Sequence, residues 1–232
     1  MSLEKVPAAV KKSRYRQWRE RKAYGKEIKA SDVKKLVKLN NILRDDGKKL
    51  GIPQLSIEII PKKYKARAAA VSTGYKIQGD GTLNMPSSIT YDYYTIDNLS
   101  LAELRSVAWH ELGHYIFAYY FPEIDDKYYK DVGAYSVAET FADEFAYKRF
   151  GNVYIRAMRK LSKMDKKKAK KDEIALVDAI KETAAFRKKH NRPHWMFLAE
   201  QLDMEIKYNP RGSKIAGVNP KKSVLKGLYE EI

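Results

Sequence analysis

His110-Glu111-Leu112-Gly113-His114 is the stretch on which the reading of this chain turns. Residues four apart on a helix stand one turn above each other, so two imidazoles at this spacing can take adjacent corners of one Zn²⁺ site. The carboxylate between them is placed to take a proton from a water. That geometry needs a helix, and the flanking residues supply one. Ser100-Leu101-Ala102-Glu103 reads as a capping box, in which Ser and Glu satisfy each other's backbone N–H groups at a helix start. Leu101, Leu104, Ala108, Leu112, Tyr115 and Ile116 continue the apolar spacing of a helix. Phe121-Pro122 ends it, because the residue before proline avoids helical geometry. The competing reading is a core helix with two hydrogen-bonded histidines. Imidazole and carboxylate are costly on so apolar a helix unless something pairs with them, and a metal does so.

A catalytic zinc takes three protein ligands and keeps one position open. The chain has no Cys, so thiolate ligands are excluded. The spacing HExxHxxGxxH is also absent, since Phe117 and Tyr120 occupy the Gly and His positions. His190 and His194 lie far downstream, which leaves a carboxylate. In Ala138-Glu139-Thr140-Phe141-Ala142-Asp143-Glu144-Phe145-Ala146, Glu139 and Asp143 are four apart and share a helix face. Ala138, Ala142 and Ala146 form a ladder of small residues that permits a close helix crossing, and Gly151 supplies the stop. Glu139 is the expected third ligand and Glu144 the fallback. Asp143 is expected to accept the free N–H of a ligand histidine.

HExxH followed by ExxxD resembles the gluzincin metallopeptidases, the thermolysin-like class. The fuller run Glu139-x-x-Ala142-Asp143-x-Phe145-Ala146 is similar to the second motif of the ImmA/IrrE family of small bacterial and phage metallopeptidases. The resemblance covers residues 100–150, under a quarter of the chain. It implies a zincin-like peptidase in which His110, His114 and Glu139 hold one Zn²⁺, Glu111 is the catalytic base and Asp143 orients a ligand. An oxyanion donor should complete such a site, with Tyr135, His190 and His194 as candidates. Pro193 breaks helical continuity between those two histidines, so they do not read as a second metal pair. A DNA-associated protease of SprT-like type is the rival within the enzyme class, although its third ligand is expected to be His. The remaining alternative is a basic nucleic-acid-binding or structural protein with a catalytically idle metal site.

Upstream, Leu55–Ile60 alternates and stops at Pro61. Ala69–Ile77 leads into Gly79-Asp80-Gly81, a hairpin signal, and Thr82–Met85 follows. These segments predict an α+β fold in which a small antiparallel sheet packs with the HExxH helix and the glutamate-bearing helix. Thr82–Met85 is expected to offer an edge to an extended peptide. Ser31 is a good N-cap for a helix to about Lys49, with Val33, Leu36, Val37, Asn40 and Leu43 on one face and Gly47 or Gly51 at its end. A further helix is expected over residues 172–189.

The net charge of +17 is unevenly spread. Residues 1–66 and 151–232 are strongly basic, and residues 67–150 are mildly acidic. Lys11, Lys12, Arg14, Arg16, Trp18 and Arg19 interleave cations with an aromatic ring, a composition that suits a polyanion as well as a solvated arm. Lys166–Lys171 is a second cluster. The chain therefore divides into a basic arm (1–30), a metallopeptidase-like domain (31–163), and a basic helical extension with an irregular tail (164–232). The expected partners are a protein or peptide substrate and, through the basic arms, nucleic acid. The run Leu112–Phe121 is too short to span a bilayer. With no cysteine and no secretion signal, a cytoplasmic protein is expected, phage or virus encoding being in keeping with the resemblance.

Overall fold

A computed structural model describes residues 30–52, 56–60, 76–77, 83–84, 88–128, 130–164, 170–210 and 220–229. Helix α1 (Ala30–Leu50) begins where Ser31 predicts and ends at Gly51, whose φ of +79° favours glycine. Its face of Leu36, Leu39 and Leu43 is buried. Its polar residues make the outward connections. Asn40 Oδ1 accepts from the Ile57 backbone N–H at 3.2 Å, and the buried Asp46 carboxylate takes a two-pronged bond from Arg105 at 2.7 and 2.6 Å. Trp109 Nε1 donates to the same carboxylate at 3.0 Å.

The α+β expectation is overturned. The described part of the chain is essentially helical, and among the described residues no antiparallel sheet forms a second layer. Among the described residues, β1 (Ser56–Ile60) pairs in parallel with β4 (Ser88–Asp92), Ile57 opposite Ile89 and Ile59 opposite Tyr91. The antiparallel pairing is confined to two residues on each side, β2 (Lys76–Ile77) with β3 (Leu83–Asn84). Of the expected edge Thr82–Met85, Leu83–Asn84 form the short β3, which pairs with β2 and does not join β1–β4, and Thr82 and Met85 lie outside the described residues. The physical reason lies in partner choice. A local reading pairs each strand with its sequence neighbour, whereas Ser56–Ile60 finds its partner across a long crossover, as parallel strands must. Residues 61–75, including most of the expected second strand, lie outside the described residues, as does the Gly79-Asp80-Gly81 turn.

Helices fill the core because the apolar residues beyond residue 100 recur at helical spacing. After α2 (Tyr93–Asn98) comes α3 (Leu101–Tyr120), the HExxH helix. Its capping box is formed: Ser100 N–H donates to Glu103 at 2.8 Å, and Glu103 N–H donates to Ser100 Oγ at 3.3 Å. Leu104, Ala108, Leu112, Tyr115, Ile116 and Phe117 are all buried, so α3 is central rather than a surface helix. Pro122 opens the short α4 (Pro122–Asp125). Then α5 (Val132–Phe150) starts on the Asp131 side chain, which accepts from Gly133 and Ala134, and ends at Gly151. Helices α6 (Asn152–Met164), α7 (Lys170–His190) and α8 (His194–Gln201) pack around the α3–α5 pair. A 3-10 turn, Lys222–Leu225, brings Leu225, Leu228 and Tyr229 into the same core as Phe117, Phe141 and Trp195. No helix of the described residues is long and apolar enough to cross a membrane.

Helix α5 crosses α3 closely. A Cβ on Gly113 would stand 2.8 Å from Ala142 Cα, nearer than such atoms approach, so this glycine sets the spacing. The small-residue ladder of α5 is the other half of the crossing. Ala138, Ala142 and Ala146 are fully buried.

Candidate metal centre

The α3–α5 crossing places the two motifs face to face. Gly113, between the histidines, meets Ala142, between Glu139 and Asp143. His110 Nε2 and His114 Nε2 are 3.2 Å apart. Glu139 lies 3.4 Å from His110 Nε2 through Oε2 and 3.5 Å from His114 Nε2 through Oε1. These three residues form a group able to hold one metal ion. The spacing fits a tetrahedral ion, whose ligands at ~2.1 Å must stand ~3.4 Å from one another. Glu139 keeps 29% of its side chain exposed, so the group is reachable from solvent.

Asp143, one turn along α5, lies behind His110. Its Oδ1 is 3.0 Å from His110 Nδ1. Tyr154, on α6 and fully buried, stands 2.9 Å from the same nitrogen and donates its hydroxyl hydrogen to Asp143. A phenol that has given its one hydrogen to a carboxylate can only accept from the ring, so Nδ1 carries a proton, and Nε2, facing Glu139 and His114, is the nitrogen whose lone pair a metal would take in place of its proton. Tyr128 closes the other side, its hydroxyl donating to Glu139 Oε1.

The electrostatics of the cluster call for a cation. Burial disfavours charge on His110, yet hydrogen bonds to Asp143 and Glu139 and the nearby carboxylates outweigh it and hold its proton well above the usual range. Burial, reinforced by His110, pushes His114 down to about 4. Glu139, despite its burial, is held down to about 2 by the hydrogen bond to His110 and the charges of His114 and His110. Glu111 is pushed up to about 8 by burial and by Glu139 and Asp143, with His110 partly opposing them. Three carboxylates thus surround two imidazoles, and a proton on His110 supplies the positive charge. A divalent cation in its place would leave both rings neutral and lower Glu111 again.

Among the other residues singled out from the sequence, Tyr135 is at the site. Its ring packs 5.0 Å from Tyr128, and the charge of Glu139, burial and a hydrogen bond to Glu139 raise its phenol. His190 and His194 are engaged elsewhere, stacked on Phe186 at 4.4 and 4.7 Å. Pro193 separates α7 from α8 between them, as the sequence suggests. Glu144, the fallback ligand, is turned to another task. Its oxygens accept the His194 and Trp195 backbone N–H groups at 2.9 and 3.2 Å, capping a helix whose own cap position is proline. Lys11, Lys12, Arg14, Arg16, Trp18 and Arg19 lie outside the described residues, as do Lys166–Ala169.

Sequence reasoning missed Tyr128 and Tyr154. The chain has 17 tyrosines, and neither stands at a motif spacing from the ligands. The one available signal was helical register, since Tyr154 lies eleven residues beyond Asp143, but the helix break at Gly151 hides it.

Comparison of the chain with family models, with curated proteins and with solved structures finds no match. What the structure shows is the His110/His114/Glu139 group, able to hold one metal ion where the α3 and α5 motifs meet.

Proposed function

We propose that this protein is a zinc-dependent peptidase. The observation that carries the reading is the His110/His114/Glu139 triangle with the Glu111 carboxylate on the adjoining turn position of α3. A structural zinc site is normally closed by four protein ligands, and a catalytic one keeps three. Among the described residues the metal-capable group has three members, none of them Cys. A purely structural site also has no use for Glu111.

In this reading His110, His114 and Glu139 hold the zinc, and Asp143 with Tyr154 fixes the ring of His110. Bound there, zinc supplies Lewis acidity, lowering the pKa of a water and polarising a carbonyl. Glu111 takes the proton from the attacking water and returns it to the leaving amine. The Tyr135 phenol, half-exposed beside Glu139, is the donor to the carbonyl oxygen as charge develops on it. The substrate class is a peptide bond in a protein or peptide.

Metal content by elemental mass spectrometry, paired with digestion of an unfolded protein, tests this. One zinc per chain is expected. Glu111→Gln should keep that zinc and lose hydrolysis about 10²- to 10⁴-fold, the range for removing a general base. A metal-free native protein, or full activity in the variant, would sink the assignment.

A further inference from the structure

Three large apolar side chains stand exposed among the described residues: Val132 at 83%, Tyr135 at 47% and Leu202 at 42%. All three gather at the N-terminal end of α5. Leu202 lies against Gly133, where an added Cβ would meet its Cδ1 at 3.2 Å and Met204 Cε at 2.8 Å. Val132 is the next residue in the chain, and Tyr135 follows within a turn. The same face continues to the metal centre, because Val132, Ser136, Glu139 and Asp143 follow at i, i+4, i+7 and i+11 along one line of α5. These are the exposed large apolar side chains of the described residues, and they stand together on the line of α5 that leads to the metal centre, in a protein with a net charge of +17.

We infer that Val132, Tyr135 and Leu202 form a docking surface for an apolar stretch of an extended peptide whose adjoining residues reach the His110/His114/Glu139 group. The inference rests on reading that group as the hydrolytic site. Three side chains fall far short of the roughly 800 Å² that each partner of a stable complex buries, which argues for a short peptide over a second copy of this chain. Helix rise places Val132 ~10 Å from Glu139 along α5. An extended peptide covers that span in about three residues. The surface thus selects apolar residues two to three positions from the bond to be cut, and leaves the immediate neighbours of that bond to other contacts.

Fluorescence anisotropy on the full-length Glu111→Gln chain, with zinc added, tests the docking without turnover. The probes are two fluorescein-labelled nonapeptides of glycine and serine, one of which carries two adjacent leucines. The leucine peptide should bind about tenfold more tightly, the scale of a small apolar contact. The double change Val132→Ser, Leu202→Ser should bring the two peptides within twofold, with zinc content unchanged, while Val132→Ile, Leu202→Met keeps the preference. Equal binding of the peptides, or a preference that survives the serine pair, would overturn the inference. Cleavage by the unaltered chain, mapped by mass spectrometry, reads the hydrolytic proposal separately. If neither peptide is cut but the leucine preference stands and is lost in the serine pair, the docking surface holds and the hydrolytic reading falls.

Discussion

Tyr154 is the residue at which position and chemistry are most tightly joined. It is fully buried, and burial together with the charge of Asp143 keeps its phenol protonated, so it stays a donor. Its hydroxyl lies between Asp143 and the Nδ1 of His110, and so helps decide which nitrogen of that ring faces the metal position. Tyr154→Phe keeps the ring and its packing while removing the hydroxyl. Loss of such a supporting contact typically costs 10- to 100-fold in metal affinity. That weakening, measured by competition with a zinc chelator, is expected together with an almost unchanged fold by circular dichroism. Unchanged zinc affinity would remove Tyr154 from the support of the site.

At the scale of elements, the site exists because α3 and α5 approach closely, and Gly113 controls that approach. Gly113→Ala brings a methyl group to 2.8 Å from the backbone of Ala142, an atom that cannot swing aside. The helices must part, at a cost of about 1–3 kcal/mol for overpacking. The expected result is a melting temperature lower by several degrees and weaker zinc binding, since His110 and His114 on one helix separate from Glu139 on the other. A variant as stable as the parent with unaltered zinc affinity would show that the crossing does not set the ligand spacing. Glycine inside a helix is usually a weakness. Here it is what allows the two motifs to meet.

The whole molecule is tied together by polar groups in its interior, and Glu144 gives that a pH signature. This carboxylate, 2% exposed, joins α5 to the start of α8. Burial pushes it up to about 7, with Asp143 adding to the shift, although the His194 and Trp195 N–H groups and Arg187 pull the other way. The folded protein therefore holds this proton more tightly than the unfolded chain does. Its contribution to stability is complete below about pH 4.5 and is lost as pH rises through 7, in total on the order of 3 kcal/mol. Comparing melting temperatures from pH 5 to 8, the parent should lose more stability than Glu144→Gln over that interval. Parallel curves would show that Glu144 is not the titrating group.

Much of the site was legible along the chain. The capping box at Ser100, the apolar spacing of α3, the small-residue ladder of α5 and the glycine stop at Gly151 are local signals, governed by helix propensity and helix geometry, which need no partner to be read. They put His110 with His114 and Glu139 with Asp143, each pair on one helix face. What the chain could not declare was pairing across distance. The partner of Ser56–Ile60 lies beyond a long crossover at Ser88–Asp92, so the expected antiparallel sheet gave way to a parallel pair beside a helical core. Tyr128 and Tyr154 reach the centre from other elements, and Glu144 leaves it for the cap of α8. Ligand types and their helical register are properties of nearby residues. The distances between helices, which make three side chains a metal site, arise from packing alone.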